Sequence, residues 1–264
     1  IWGSFTNTGD CWFEAVFDLP KLRLVSATFN SDTEENAEFI AETLQDILQE
    51  ARKLNPGFLQ SKTGFIVKTT LTFPRDWGLG TSSTLVNNIA QWAAIDAYQL
   101  LQNSFSGSGY DIANAQHNLP ILYQLKNKKP LIKTVDFSPQ FSDQLYFVYL
   151  NKKQNSKEGI AKYKENNDDF KNEIHRISEI SLEMCSVKSL LDFERLIEEH
   201  EQIIASIIKL KPVKELLFPD YLGAIKSLGA WGGDFVLVTG NKSTLQYFKE
   251  KGYETILSYS NMVL

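Results

Sequence analysis

Apolar positions in this chain recur with two different periods, and the changes from one to the other mark out its elements. Residues 11–17 and 22–29 are rich in β-branched and aromatic side chains and predict two strands around the turn at Pro20, an antiparallel hairpin. Over residues 33–54 the apolar positions Ala37, Ile40, Ala41, Leu44, Ile47, Leu48 and Ala51 recur every three to four residues. That spacing predicts a helix ending before Asn55-Pro56-Gly57. Residues 65–73 return to a strand pattern, and Leu85, Ile89, Trp92, Ala93 and Leu100 mark a helix over residues 83–101. These elements make an α+β amino-terminal half.

Short strand-like runs follow at residues 120–125, 131–137 and 145–149, separated by Asn127, Pro130 and Pro139. Residues 152–169 are polar and charged, which predicts an exposed loop and helix near the junction of two halves. Helices are then expected over residues 170–184, 189–210, 213–225 and 242–251, with strands at 235–239 and 253–257. The domain boundary is set between residues 140 and 141. No internal repeat or low-complexity tract interrupts the pattern.

The junction of the strand at 65–73 with the helix that follows has a composition suited to an anion. It reads Pro74-Arg75-Asp76-Trp77-Gly78-Leu79-Gly80-Thr81-Ser82-Ser83-Thr84. Gly78 and Gly80 let the backbone take positive φ and approach a ligand, and Thr81, Ser82 and Ser83 bring hydroxyls to a helix start. Unpaired N–H groups and the positive end of the helix dipole stabilise a phosphate there without a lysine. The competing reading is an ordinary hydroxyl-capped helix after a glycine turn. A second segment, Ser106-Gly107-Ser108-Gly109-Tyr110-Asp111-Ile112-Ala113, sets one carboxylate behind a flexible turn, where it either caps a helix or faces a pocket. A third, Ser227-Leu228-Gly229-Ala230-Trp231-Gly232-Gly233-Asp234, is a glycine turn feeding the strand at 235–239, and a plain helix-to-strand turn is its simpler reading.

The 264 residues suffice for one large or two small domains with buried cores. A net charge of −5 argues against a nonspecific nucleic-acid binder, which needs a clustered positive surface. Cys11 and Cys185 have no metal or redox spacing and read as reduced thiols of a cytoplasmic protein. His117, His175 and His200 offer no ligand pair on one helix face, which argues against zinc. No apolar run approaches the ~20 residues of a membrane span, and no signal-peptide pattern opens the chain, so a soluble protein without membrane partners is expected.

In this order, the three segments resemble the GHMP kinase superfamily, which includes galactokinase, homoserine kinase, mevalonate kinase and phosphomevalonate kinase. Residues 74–82 match its Pro-x-x-x-Gly-Leu-Gly-Ser-Ser phosphate loop, with Thr81 for the first serine. Residues 107–111 match the Gly-Ser-Gly-x-Asp element of the mevalonate kinase branch, and Gly-Tyr-Asp-Ile-Ala at 109–113 is the signature of one subgroup. Residues 229–233 match a Gly-Ala-Gly-Gly-Gly turn with Trp231 replacing a glycine. The resemblance implies a two-lobed α+β fold, ribosomal protein S5 domain 2-like in its amino-terminal half and ferredoxin-like in its carboxyl-terminal half. It implies an ATP- and Mg²⁺-dependent kinase that transfers the γ-phosphate to a hydroxyl of a mevalonate-type small molecule, in isoprenoid biosynthesis, with a homodimer left open. Phosphomevalonate, a sugar or an amino alcohol are alternative acceptors, and a noncatalytic nucleotide- or metabolite-binding relative is the alternative of a different class.

On the same resemblance Gly78, Leu79, Gly80, Thr81, Ser82 and Ser83 would hold the ATP phosphates. Ser82 would also touch Mg²⁺, Asp111 would take the acceptor's proton, and Gly107, Ser108, Gly109, Gly232 and Gly233 would line the substrate side. Asn155-Ser156-Lys157 resembles a substrate-side loop of the isoprenoid kinases. The family's first motif, a Gly-Glu-x-x-x-Leu element preceded by the lysine that orients the aspartate, has no match, so the sequence is expected to lack an amino-terminal strand and loop. The family's second Mg²⁺ ligand, a glutamate, has no counterpart between Ser82 and Asp111. Asp96 would lie about 21 Å from Ser82 along an unbroken helix, too far to share an ion. His117 reads as structural, and Trp92, Phe105, Tyr110 and Tyr123 as core.

Overall fold

The computed structural model describes residues 1–30, 36–61, 63–105, 107–152, 169–229, 231 and 233–263. The chain divides into two compact units, Ile1–Arg75 with Leu79–Lys133, and Asp76–Gly78 with Thr134–Leu264.

The first unit is built on a four-stranded sheet in the order β3-β2-β1-β4, from β1 (Trp2–Phe5), β2 (Cys11–Phe17), β3 (Leu24–Phe29) and β4 (Val67–Thr70). The hairpin expected around Pro20 forms as β2 and β3, antiparallel. Strand β1, which the sequence pattern did not indicate, takes a central place, antiparallel to β2 and parallel to β4. Its four residues include Gly3 and Ser4, so hydrophobic alternation has nothing to register. Ser4 is nonetheless buried, because its hydroxyl is satisfied by Trp2 Nε1 at 3.1 Å and Thr69 Oγ1 at 2.9 Å. Helix α1 (Ala37–Leu54) starts at Asn36, whose side chain accepts from the Glu38 N–H. It buries Ala41, Leu44, Ile47, Leu48 and Ala51, the stripe read from the sequence.

The long helix expected over 83–101 is two helices, α2 (Thr81–Ala93) and α3 (Ala97–Ser104). Ala94 turns left-handed at φ 52, and Asp96 caps α3 by accepting from the N–H groups of Tyr98 and Gln99 at 2.7 and 3.2 Å. Local side-chain bonding of this kind competes with helix continuation, while the apolar spacing runs through the break at Ala97, Leu100 and Leu101 and hides it. The short α4 (Tyr110–Ala115) follows. Then β5 (Ile121–Lys126) and β6 (Lys129–Thr134) pair through Asn127 and Lys128, both at positive φ as a tight hairpin turn demands.

The second unit runs β7 (Leu145–Tyr149), α5 (Lys171–Met184), α6 (Leu190–Ile208), α7 (Val213–Leu217), β8 (Ile225–Ser227), β9 (Phe235–Thr239), α8 (Lys242–Glu250), β10 (Ile256–Ser258) and α9 (Tyr259–Met262). The strands pair antiparallel in the order β10-β7-β9-β8. Strand, helices, two strands, helix and strand in that spatial order are the ferredoxin-like arrangement. The helix expected over 213–225 stops at Leu217 because Phe218 precedes Pro219, whose ring disfavours helical backbone at the residue before it. The freed chain turns and enters β8. Arg176 of α5 ties that helix to α6 through both oxygens of Glu199, at 2.6 and 2.8 Å, and also bonds Glu183 at 2.7 Å. Among the described residues no helix is long and apolar enough to cross a membrane.

Phe218 is fully buried, with its ring 4.9 Å from that of Phe248 and 5.2 Å from that of Tyr253. Phe218→Ala should cost about 3–5 kcal/mol, the usual range for emptying a buried aromatic site, measured as a fall in the urea midpoint with unchanged slope.

Candidate functional site

The glycine-hydroxyl junction is shared between the units, with Asp76–Gly78 in the second and Leu79 onward in the first. In the first unit, Gly80 adopts φ 70 and ψ 25 and serves as the N-cap of α2, with no side chain capping the helix. The hydroxyl and N–H of Thr84 both donate to the Gly80 carbonyl, at 3.1 and 3.0 Å. The hydroxyls of Thr81, Ser82 and Ser83 make no hydrogen bond among the described residues. The competing reading of an ordinary hydroxyl-capped helix therefore does not hold. A glycine holds the cap position, and the first-turn N–H groups keep their capacity to bind an anion.

Helix α4 starts in the same way. Gly109, buried and at φ 77, is its N-cap, again without a side-chain cap. Asp111 is the second residue of the helix, so its carboxylate does not cap it. A Cβ built on Gly80 would lie 3.7 Å from Cβ and Cγ of Asp111 and 4.0 Å from its Oδ1. The start of α2 and the acid at the start of α4 are thus neighbours within one unit. Their register is fixed by Gln116 Nε2 donating to the buried Asn87 Oδ1 at 2.9 Å, and by the fully buried Ile112 and Ala113.

Asp111 keeps solvent access, yet the protein atoms crowded around it hold its carboxyl above the ordinary 3.8. No described cation opposes that rise. Gly107, at φ 134, and Ser108 form the exposed turn before α4. Asp96 uses one carboxylate oxygen to cap α3, at the point where the expected long helix breaks. His117 donates from Nδ1 to the Ala113 carbonyl at 2.7 Å, a bond that closes α4.

In the second unit, Gly78 has φ 67, and a Cβ there would lie 2.3 Å from Oδ1 of Asp234, so this position admits only glycine. Asp76 is held by Tyr149, whose hydroxyl donates to its carbonyl at 3.1 Å and its Oδ2 at 3.3 Å, and Trp77 packs edge-on against Phe235 at 5.3 Å. Burial, with the carboxylates of Asp76 and Asp234 beside it, pushes the Tyr149 hydroxyl up to about 12. The third glycine turn joins β8 to β9 and is a strand-to-strand connection, so the simpler reading as a helix-to-strand turn does not hold. Asp234, at φ 51, accepts from the Leu150 N–H and donates to the Lys152 carbonyl, each at 2.7 Å. Trp231 is buried at φ 62, and its indole N–H has no partner among the described residues. Gly233 is buried, while Gly232 and Asn155-Ser156-Lys157 lie outside the described residues. Tyr149 and Asp234 were not singled out by sequence reasoning. An acid directly after a glycine turn was the available signal for Asp234, and nothing marked Tyr149. Among the described residues no group of three His, Cys, Asp or Glu side chains could by itself hold a metal ion.

No protein-family model matches the chain, and no curated protein sequence matches it. Solved structures do. The mevalonate kinase of Methanococcus jannaschii aligns at a TM-score of 0.59 and 16% identity, covering 97% of this chain and 82% of that one. The Lin0012 protein of Listeria innocua aligns at 0.57 and 16%, covering 94% and 81%. The mevalonate diphosphate decarboxylase of Staphylococcus aureus aligns at 0.53 and 12%, covering 95% and 75%. These structures are members of the GHMP kinase family, and at such identities the likeness is one of fold. The chain is a two-unit α+β protein with the GHMP kinase fold.

Proposed function

We propose that the chain is an ATP-dependent phosphotransferase that delivers the γ-phosphate to a hydroxyl of a small carboxylic acid of the mevalonate type. The observation that carries this reading is the carboxylate of Asp111 beside Gly80, at the start of a helix whose first-turn N–H groups are uncapped. Phosphoryl transfer asks the protein mainly to hold phosphates and align the acceptor. The N–H groups and hydroxyls at Thr81, Ser82 and Ser83 would hold the phosphates through hydrogen bonds and the dipole of α2. Asp111 would take the acceptor's proton as its oxygen bonds to the γ-phosphorus and the bond from that phosphorus to the β,γ-bridging oxygen breaks, releasing ADP. A desolvated carboxylate is a stronger base than an ordinary one, which suits that role.

Mg²⁺ is ordinarily held together with the nucleotide's own phosphates, and the unbonded hydroxyls at the start of α2 fit that mode. Ser82 is the residue that would hold it, and the ion would supply charge neutralisation on the phosphates. A noncatalytic nucleotide binder is the second reading, favoured by the absence of a described cation beside Asp111 and by Trp231 in the third turn.

An ADP-release assay with ATP, Mg²⁺ and mevalonate, phosphomevalonate or several sugars separates the two: turnover with one acceptor supports the enzyme, and nucleotide binding without turnover supports the binder. Asp111→Asn should keep ADP affinity within a few fold and lower turnover at least ~100-fold, the lower range for losing a general base. Unchanged turnover would leave Asp111 without a chemical role. Because the carboxyl is raised in the folded protein, the active ionised form is lost as pH falls through a value above 3.8, and the acid limb of kcat/KM should sit there. The same sign makes Asp111 favour folding at low pH, a contribution lost as pH rises through that raised value. Gly80→Ala forces a side chain into φ 70 and should weaken ADP binding about tenfold by calorimetry.

A further inference from the structure

Helix α4 has six residues, too few to fix its own direction, so the orientation of Asp111 is imposed from outside. At its far end the tie is Gln116 on Asn87. At its near end lies a turn whose glycines adopt φ 134 and 77, the most permissive backbone in the unit. Among the described residues, three bonds that involve a side chain hold that turn. Gln102 Nε2 donates to the Gly107 carbonyl at 2.8 Å, the Tyr110 N–H to the Ser108 hydroxyl at 3.2 Å, and the Tyr123 hydroxyl to the Ser108 carbonyl. The Tyr123 bond reaches the turn from the strand after α4 and the Gln102 bond from the helix before it, since Tyr123 stands on β5 and Gln102 on α3. The Tyr123 ring meets Tyr110 edge-on at 5.7 Å, and its hydroxyl would lie 3.2 Å from a Cβ on Gly109. Tyr98 adds shape to the same spot: its Cδ1 would lie 2.8 Å from that Cβ, and its hydroxyl has no partner among the described residues.

We propose that Tyr123 is a positioning residue that fixes the carboxylate of Asp111 by anchoring the Ser108 carbonyl one step before the cap of α4. The proposal rests on Asp111 serving as the base of the proposed transfer. Burial raises the Tyr123 hydroxyl above its ordinary value, so it remains a donor across the working pH range. Without that bond the turn gains freedom, the carboxylate swings relative to Gly80, and water reaches it. Nucleotide and acceptor still bind, but fewer complexes are aligned for transfer.

Tyr123→Phe in the full chain keeps the ring and removes the hydroxyl. Expected are a fall in kcat of about tenfold or more with KM within twofold, the pattern of an interaction realised only in the transition state. An NMR titration of the Asp111 carboxyl should show its pKa dropping toward the ordinary 3.8. Backbone order parameters at Ser108 to Asp111 should fall from about 0.85, typical of rigid backbone, to below about 0.6. An unchanged kcat with an unchanged Asp111 titration overturns the proposal, and so does a loss of melting temperature in which kcat and KM deteriorate together. If the unsubstituted protein turns over no acceptor, the phosphotransferase reading falls, and the titration and order parameters alone decide whether Tyr123 holds the carboxylate. If Tyr123→Phe does not fold, order parameters below about 0.6 at Ser108 to Asp111 in the unsubstituted protein overturn the proposal.

Discussion

Left-handed backbone at two glycines governs the candidate site. Gly80 and Gly109 each occupy the cap position of a helix, and neither can supply a side chain to the orphan N–H groups that follow. A serine or aspartate in either place would satisfy those groups internally and close the site to an anion. A non-glycine residue would also pay for positive φ. The bond between Asn87 and Gln116 converts two separate helix starts into one arrangement, because it sets the far end of α4 against the middle of α2. The deep burial of Asn87 makes that bond costly to lose, since the unmatched amide would be stranded in the core.

Carboxylates stand beside Gly80 and Gly78, Asp111 by the first in one unit and Asp234 against the second in the other. Burial holds the Asp111 carboxyl above its ordinary value. Burial with the neighbouring carboxylates pushes the Tyr149 hydroxyl up to about 12, so it stays a neutral donor to Asp76.

Much of this was legible in the residues. The hairpin of β2 and β3, the stripe of α1 and the strands β7 and β9 follow from period alone, because each buries one face or both against a single core. The loop at Gly78 to Ser83 and the turn before Asp111 were visible because glycine and hydroxyl residues serve backbone geometry that other residues serve badly. What escaped depends on contacts distant in sequence or on a local competitor. Strand β1 is held by pairing on both sides despite its glycine and serine, the break between α2 and α3 is made by the Asp96 cap, and β8 forms where Pro219 ends a helical pattern. Asp234 and Tyr149 reach the loop only through the folding of the second unit.

A shared fold narrows the chemistry without choosing it. A mevalonate kinase and a mevalonate diphosphate decarboxylase both align with most of this chain, so one framework carries both reactions and the choice lies in side chains at the site. Here Asp111 lies beside Gly80 at the uncapped start of α2. The third turn is different, because Trp231 buries a large ring in it at positive φ, an arrangement that costs backbone strain and leaves an indole N–H without a described partner. Strain of that kind persists only where the surroundings over-determine it. The turn also departs from its expected glycine pattern at Trp231, where a glycine would take φ 62 without strain.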